Sequence, residues 1–491
     1  MGDKYKVVPE DVVNHPHCQH GPTLLFARTS RNSQDPEFFY GCSACRSRKE
    51  CPVWIPKDEG SLQSRKTNWS EKHFKFGLSR RTVREKILAT KAKHRRYCHD
   101  CDSLFSKKDK SARTHIDHDV LVGITDEGLK EPTKFLRPKD DEKTQAQYFF
   151  TDETLRTFHR IFRKLGIRKV VCMGAPRLHE YLKIHSNGIQ SYLLDIDKRF
   201  LDFYGDDEFA WYNMFNNYFF LGNRQQDEFE KFLVDTLNEN VLLFVDPPFG
   251  CRSEPLTQSI KEISRTFGRL NNANQSLLPV FWIFPYYMEN YVKNSMPEME
   301  MCDYKVDYMN HNSYSSDKET SRKFGSPVRI FTNVPLKQIE LPESEGYKYC
   351  SLCKRWVAAE NQHCTYCRDC PSKNGQSYRH CQLCATCVKP NYVHCRSCGR
   401  CTQASGHSCA EYQAALNCWI CRKRGHSERK CTAWTEILKR TGAKHGASNV
   451  RKGKRRCLIC SVVGHNEKRC PQRERLLKEV TFLGQVSNIF D

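Results

Sequence analysis

The stretch VLLFVDPPFG (Val241–Gly250) runs five apolar residues into an aspartate, two prolines and a phenylalanine. A short apolar run closed by prolines reads as a buried strand, which stops where the ring-locked residues can no longer donate to a ladder. Outward from it, helix-like and strand-like segments alternate: DETLRTFHRIFRKLG (Asp152–Gly166), KVVCMG (Lys169–Gly174), PRLHEYLKIH (Pro176–His185), SYLLDID (Ser191–Asp197), and later LLPVFWIFP (Leu277–Pro285). That order predicts an α/β domain with a parallel sheet over residues 140–335. Ligands of such sheets bind at the carboxyl ends of the strands, which is where Asp246 stands.

Asp246, Pro247, Pro248 and Phe249 are the candidate catalytic residues. Proline has no backbone N–H and a fixed φ, so the two proline carbonyls are held as acceptors beside the carboxylate. Phe249 adds a flat apolar face. An exocyclic adenine amine suits this set, because its lone pair is delocalised into the ring and its N–H bonds must be drawn toward acceptors before the nitrogen can attack. Asp246 and the Pro247 carbonyl are the acceptors expected. Phe249 would stack on the base and hold it in line, once the base has left its own stack.

The chain has 491 residues and a formal net charge of +22, so a polyanionic partner is expected. A dense basic run, RKGKRR (Arg451–Arg456), lies near the end. Of 27 cysteines all but Cys172, Cys251 and Cys302 fall in tight groups, mostly C-x2-C with histidines among them. That spacing indicates Zn2+ rather than disulfides. The opening MGDKYKVVPEDVV lacks the apolar core of a secretory signal, so a reducing intracellular compartment is expected. The longest apolar-rich run, Ser276–Met288, is broken by Pro279 and Pro285 and is too short to span a bilayer. No membrane association is expected.

Four groups of metal candidates follow along the chain. Within residues 15–57, Cys18, His20, Cys42 and Cys51 frame a strand-like insert, with Cys45 able to replace Cys42; the unit resembles the GRF-type zinc finger. Residues 79–120 read as a basic helix (to about Arg96) followed by Cys98, Cys101, His115 and His118, a two-cysteine, two-histidine pattern with a short H-x2-H gap. A lone finger of this kind reads only about three base pairs, so zinc binding is expected without sequence-specific DNA reading. Residues 347–410 hold a dense array: Cys350, Cys353, His363, Cys364, Cys367, Cys370, His380, Cys381, Cys384, Cys387, His394, Cys395, Cys398, Cys401, His407 and Cys409. The repeated HCxxCxxC unit defines a ligand pool without assigning its pairs. Residues 416–472 close the chain with two C-x2-C-x4-H-x4-C knuckles, Cys418, Cys421, His426, Cys431 and Cys457, Cys460, His465, Cys470. Such knuckles recognise single-stranded RNA, and Trp419 in the first could stack on an unpaired base where Leu458 in the second could not.

DPPF fits the [DNS]PP[YFW] signature, and the domain resembles the class I, Rossmann-like S-adenosylmethionine-dependent N6-adenine methyltransferases. QYFFTDET (Gln147–Thr154) is similar to the aromatic entry segment of one branch, VVCMGAP to its first-strand motif, and YLLDIDKRF to its acidic second strand. The resemblance implies S-adenosyl-L-methionine as cofactor. Gln147, Tyr148, Phe149 and Phe150 would line it, Gly174 and Pro176 would let backbone approach it, and Asp195, with Asp197 as alternate, would accept its ribose hydroxyls. Asn213 would lie beside its adenine. The glycine-rich loop departs from the pattern, being reduced to Gly174 alone.

In layout the whole chain resembles the CCHC-type zinc-finger ribosomal RNA N6-adenosine methyltransferases. That resemblance implies large-subunit (28S-type) ribosomal RNA as partner and substrate, a nuclear and nucleolar address, and a part in ribosome biogenesis. The branch also includes protein lysine methyltransferases, whose ammonium substrate Asp246 could equally serve. A zinc-rich RNA-binding scaffold without catalysis is the third reading. The array resembles the cysteine-rich domain of DHHC palmitoyltransferases, but the sequence here is YRHC (Tyr378–Cys381), which makes Cys381 a zinc ligand rather than an acylated nucleophile.

Overall fold

The computed structural model describes residues 4–8, 12, 14–29, 36–45, 48–58, 69–139, 147–185, 187–234, 240–272, 277–310, 325–415, 425–426 and 431–432. Contacts divide the chain into two units, residues 1–377 and 378–491.

The first unit is built on an eight-stranded sheet. Its strands are β1 (Ile167–Met173), β2 (Gln190–Asp195), β3 (Phe209–Asn213), β4 (Tyr218–Phe219), β5 (Asn240–Val245), β6 (Val280–Pro285), β7 (Glu300–Cys302) and β8 (Val328–Thr332). They lie in the order β4-β3-β2-β1-β5-β6-β8-β7. Five neighbours, β3-β2-β1-β5-β6, run parallel. The sheet is nevertheless mixed, because β4 pairs antiparallel with β3, and β8 pairs antiparallel with both β6 and β7. The parallel sheet expected from the alternation forms the centre, and both edges add antiparallel strands. At β4 the reason is length: the few residues after Asn213 cannot make the crossover that a parallel pair needs.

Strand β1 shows why the interior holds. Val170 and Cys172 enter one apolar layer while Val171 and Met173 enter the other, so both faces of the strand are covered. The helix Asp152–Lys164 begins at Thr151, whose side chain accepts from the Thr154 N–H at 3.2 Å. Asp152 and Glu153 lie in its first turn and Arg163 and Lys164 in its last, complementing the helix dipole. Leu155, Phe158, Ile161 and Phe162, at helical spacing, bury one face against the sheet.

The basic helix spans Trp69–Leu88 rather than residues 79–96. Arg95–Cys98 is instead a strand, paired with Ser103–Ser106 and Val120–Val122, with Tyr97 and Cys98 fully buried. The first finger extends beyond its expected start, because Lys4–Val7 forms the edge of its sheet with Leu24–Thr29, Glu37–Gly41 and Trp54–Pro56. The hairpin Tyr347–Cys350/Arg355–Ala358 and its metal group are fastened to the sheet by Asp303, whose carboxylate accepts from the Ala358 N–H (2.9 Å) and the Asn361 amide (2.8 Å).

The second unit carries the hairpins Arg379–Cys381/Thr386–Val388 and Tyr392–Cys395/Arg400–Gln403, followed by a helix at Cys409–Ala415. Among the described residues no helix is long and apolar enough to cross a membrane.

Candidate active site

Asp246 follows the last residue of β5, and its N–H donates to the Met173 carbonyl of β1 at 2.9 Å. Gly174 follows β1 with φ +70°, and a Cβ there would meet the Asp246 carbonyl oxygen at 2.7 Å and Met214 Cε at 2.8 Å. The lone glycine is thus required by the close passage of the DPPF backbone, whatever else approaches it. Beyond Asp246, the Pro248 carbonyl closes a turn by accepting from the Cys251 N–H at 3.1 Å.

Every candidate catalytic and cofactor residue except Phe150 lines one pocket at these strand ends. The walls stand close, leaving a cavity of about 70 Å3. Phe150 lies beneath it, 1% exposed, with its ring stacked on Tyr308 (5.0 Å) and edge-on to Phe158 and Phe244. Its expected place against the cofactor is therefore corrected: the bridge to Tyr308 turns its ring into the core among Tyr308, Phe158 and Phe244. Tyr148 does face the pocket, and its ring stacks on Phe249 at 5.5 Å.

The two candidate acids differ in their surroundings. The Asp197 carboxylate is occupied: Arg199 grips it through Nε (2.9 and 3.0 Å) and a terminal nitrogen (2.7 Å), and the Gln147 amide donates to it at 2.8 Å. Burial favours its neutral form, but Lys139 and Arg199 outweigh burial and hold its pKa near 2. Asp195 accepts from the Asp197 N–H at 2.8 Å, and burial together with the Asp197 charge raises it to about 7. The uncommitted acceptor capacity on this wall therefore belongs to Asp195.

Asn213 ends β3 on the pocket wall, yet its amide is also turned to the first finger, donating to the His20 carbonyl (2.8 Å) and Ser43 Oγ (2.9 Å).

Tyr308 and Asn310 are absent from the sequence reading. The Tyr308 hydroxyl donates to Asp246 Oδ1 at 3.1 Å. Asn310 accepts from the Phe149 N–H and donates to the Gln147 carbonyl, both at 2.8 Å, and Phe150 pairs with Tyr308 as an isolated bridge. This segment straps the aromatic QYFF stretch against DPPF. Burial pushes the Asp246 carboxyl well above its usual range, the Tyr308 donor opposes that, and Asp195 adds to it.

Beside the pocket, and sharing Ala44, Phe215 and Pro248 with it, runs a larger cleft of about 560 Å3 against the first finger. Phe39, Trp54, Arg48 and Arg252 lie along it, with the Arg48 guanidinium 4.9 Å from the Trp54 ring centroid.

The Cys/His groups converge as metal sites do. Four ligands at about 2.3 Å on tetrahedral corners stand about 3.8 Å apart. In the first finger Cys18, His20, Cys42 and Cys51 gather, with 3.9 Å between Cys18 and Cys42 sulfurs and 3.3 Å from Cys42 Sγ to His20 Nδ1. Cys45 gives its N–H to Cys42 Sγ at 3.3 Å, and its own sulfur lies 3.6 Å from His20 Nε2. In the second, Cys98, Cys101, His115 and His118 gather, and the short histidine gap is a tight turn in which the His118 N–H donates to the His115 carbonyl at 3.3 Å.

Cys350, Cys353, His363 and Cys370 form a group in the first unit. Cys381, Cys384, His394 and Cys401 form one in the second, and there Cys395, Cys398, His407 and Cys409 also lie together, His407 Nε2 being 3.1 Å from Cys398 Sγ and 3.3 Å from Cys409 Sγ. Cys364 and Cys367 form a sulfur-bonded turn in the first unit (3.4 Å), and His380 and Cys387 approach within 3.8 Å in the second. These groups fit Zn2+ by donor type and spacing. Of the knuckles, Cys418, Trp419, Cys421, Cys457, Leu458, Cys460, His465 and Cys470 lie outside the described residues, and His426 and Cys431 are the described members of the first.

A family model described as "Probable N6-adenine methyltransferase" matches residues 141–334. The rRNA N(6)-adenosine-methyltransferase ZCCHC4 of Homo sapiens is 40% identical over 384 residues, covering 75% of this chain and 74% of the relative. The chain belongs to the ZCCHC4 family of rRNA N6-adenosine methyltransferases. The Xenopus laevis relative is 41% identical over 359 residues (71% of this chain, 72% of the relative), and the Mus musculus one 39% over 362 residues (72% and 70%). The family match, residues 141–334, contains β1 to β8 and every candidate catalytic and cofactor residue.

Proposed function

We propose that this chain transfers a methyl group to N6 of an adenosine in ribosomal RNA, specifically that of the large subunit. The observation that carries the reading is the convergence of Asp246, Phe249, Gly174 and Asp195 on one pocket at the carboxyl ends of adjacent parallel strands. S-adenosylmethionine supplies the electrophilic methyl when bound. The donor set fits it: Asp195 offers acceptors for ribose hydroxyls, Met214, Phe215 and Ile196 offer apolar contact, and Gly174 permits close backbone approach. Asp246 and the Pro247 carbonyl would accept the N–H bonds of the target amine and Phe249 would stack on its ring. Because Tyr148 already covers a face of Phe249, the entering base must displace or flank that ring. The basic chain and the adjoining cleft, with Trp54, Arg48 and Arg252, would carry flanking nucleotides by stacking and phosphate contact. We place the reaction in the nucleus and nucleolus, where large-subunit RNA is made.

Radiolabelled S-adenosylmethionine incubated with the full chain, total RNA and total protein tests substrate class. Label lost to ribonuclease and kept after protease is expected. Label lost to protease alone would establish the lysine reading instead.

Asp195→Ala is expected to weaken S-adenosylmethionine binding by about 10- to 100-fold, the loss of charge-assisted hydrogen bonds worth roughly 1.5–3 kcal/mol. Since Asp195 titrates near 7, its ionised form appears as pH rises through that value. Cofactor affinity should therefore increase from pH 6 to pH 8 in the native chain and stay flat in Asp195→Asn, as titration calorimetry would measure.

Tyr308→Phe removes the donor that opposes the upward push on Asp246. The rising acid limb of kcat should then move to higher pH, while in an Asp246→Asn background the same change should leave the pH profile where it was.

A further inference from the structure

We infer that the first zinc finger forms a wall of the cofactor pocket, its metal holding the S-adenosylmethionine site in shape through the Asn213–Asn216 loop; this rests on the reading of that pocket as the cofactor site. Asn213 is fully buried at the end of β3. Its amide nitrogen donates to the His20 carbonyl and Ser43 Oγ, while its Oδ1 accepts from the Phe215 N–H at 3.0 Å. Asn216 repeats the grip, donating to the Pro22 carbonyl at 2.7 Å, Ser43 Oγ at 3.0 Å and the His20 carbonyl at 3.2 Å. The two acceptors that both amides share are the backbone of one metal-ligand candidate, His20, and the hydroxyl adjoining another, Cys42.

Two further contacts join the finger to the pocket. Ala44, in the Cys42–Cys45 turn, lines the pocket together with Gly174, Asp195 and Asp246. Ile196, between the two acids of the ribose wall, packs against Cys18, Cys42, Ala44 and Cys51. Tyr218 lies so close to Gly21 that a Cβ there would meet its ring at 2.5 Å, which fixes the same loop from the other end. A β unit of this size has too small a core to hold such a turn without its metal. Loss of the metal would free Ser43, Ala44 and Ile196 together, and with them the position of Asp195. A finger serving RNA alone would leave cofactor affinity untouched when its metal or its latch is lost.

The test is titration of S-adenosylmethionine into the full chain, with zinc counted by elemental analysis. Ser43→Ala leaves every metal ligand in place and should keep its zinc, yet lose about tenfold in cofactor affinity, because each of the two buried amides loses one of its acceptors. Ser43→Thr keeps the oxygen and should restore it. Cys42→Ser should lose one zinc equivalent and bind cofactor more weakly still. In turnover, Ser43→Ala should raise the KM for S-adenosylmethionine. Cofactor affinity equal to wild type in both Ser43→Ala and Cys42→Ser overturns the inference and leaves the pocket reading standing. Failure of the wild-type chain to bind S-adenosylmethionine removes the pocket reading itself.

Discussion

Asp246→Ala is expected to lower kcat by about 10²–10³-fold, the cost of removing one preorganised partner of a developing charge, with cofactor affinity unchanged. Asp246 is positioned from three sides: its backbone N–H donates to the Met173 carbonyl, its Oδ1 accepts from the Tyr308 hydroxyl, and Pro247 follows with a locked φ. The reaction asks of it only an acceptor for an amine N–H, since the proton leaves after the nitrogen has bonded to the methyl. Asp246→Asn keeps an acceptor oxygen and should therefore retain measurable turnover, with the acid limb of its pH profile flattened. That ordering, native above Asn above Ala, separates an acceptor role from a general base, for which Asn and Ala would fail equally. Single-turnover kinetics at saturating S-adenosylmethionine measures it.

Arg199→Ala should destabilise the chain by about 3–5 kcal/mol, because it leaves the buried Asp197 carboxylate without its main partner. Arg199 is 3% exposed and bonds outward as well, to the Arg137 carbonyl (2.9 Å), Gln147 Oε1 (2.9 Å) and Asp102 Oδ1 (3.4 Å). Asp102 lies next to Cys101 in the second finger and also accepts the Tyr97 hydroxyl at 3.1 Å. One guanidinium thus ties that finger, the QYFF segment and the loop after β2 together. The double variant Asp197→Asn, Arg199→Met removes both charges and should recover much of the loss, as a chemical denaturation series would show. A cost for the double variant as large as for the single one would mean that packing, not charge pairing, sets the value.

What the sequence disclosed was local. DPPF and YLLDID carry their chemistry within one strand and the turn after it, so Asp246 and Asp195 could be read without knowing their neighbours. Tyr308 could not, because it reaches Asp246 from 62 positions away; the alternation of Cys302, Tyr304, Val306 and Tyr308 marks an extended segment with one buried face but does not say which distant residue that face meets. Asn213 shows a different limit: its place at the pocket could be inferred from resemblance, but its commitment to His20 and Ser43 depends on how a separate module docks. Phe150 was misplaced because a run of aromatics does not announce which of them turn inward. In the array the relation of Cys350, Cys353, His363 and Cys370 to Cys381, Cys384, His394 and Cys401, one constant offset, was present in the sequence. It was hidden because the more conspicuous HCxxCxxC repeat cuts across these groups.

The most direct test is mass spectrometry of nucleosides from large-subunit ribosomal RNA, taken from cells lacking the protein and incubated with the purified chain and S-adenosylmethionine. New N6-methyladenosine with the native chain and at most about a hundredth as much with Asp246→Ala in the same time is the predicted result. Equal N6-methyladenosine from both, or none from either while the native chain binds both cofactor and RNA, would contradict the account.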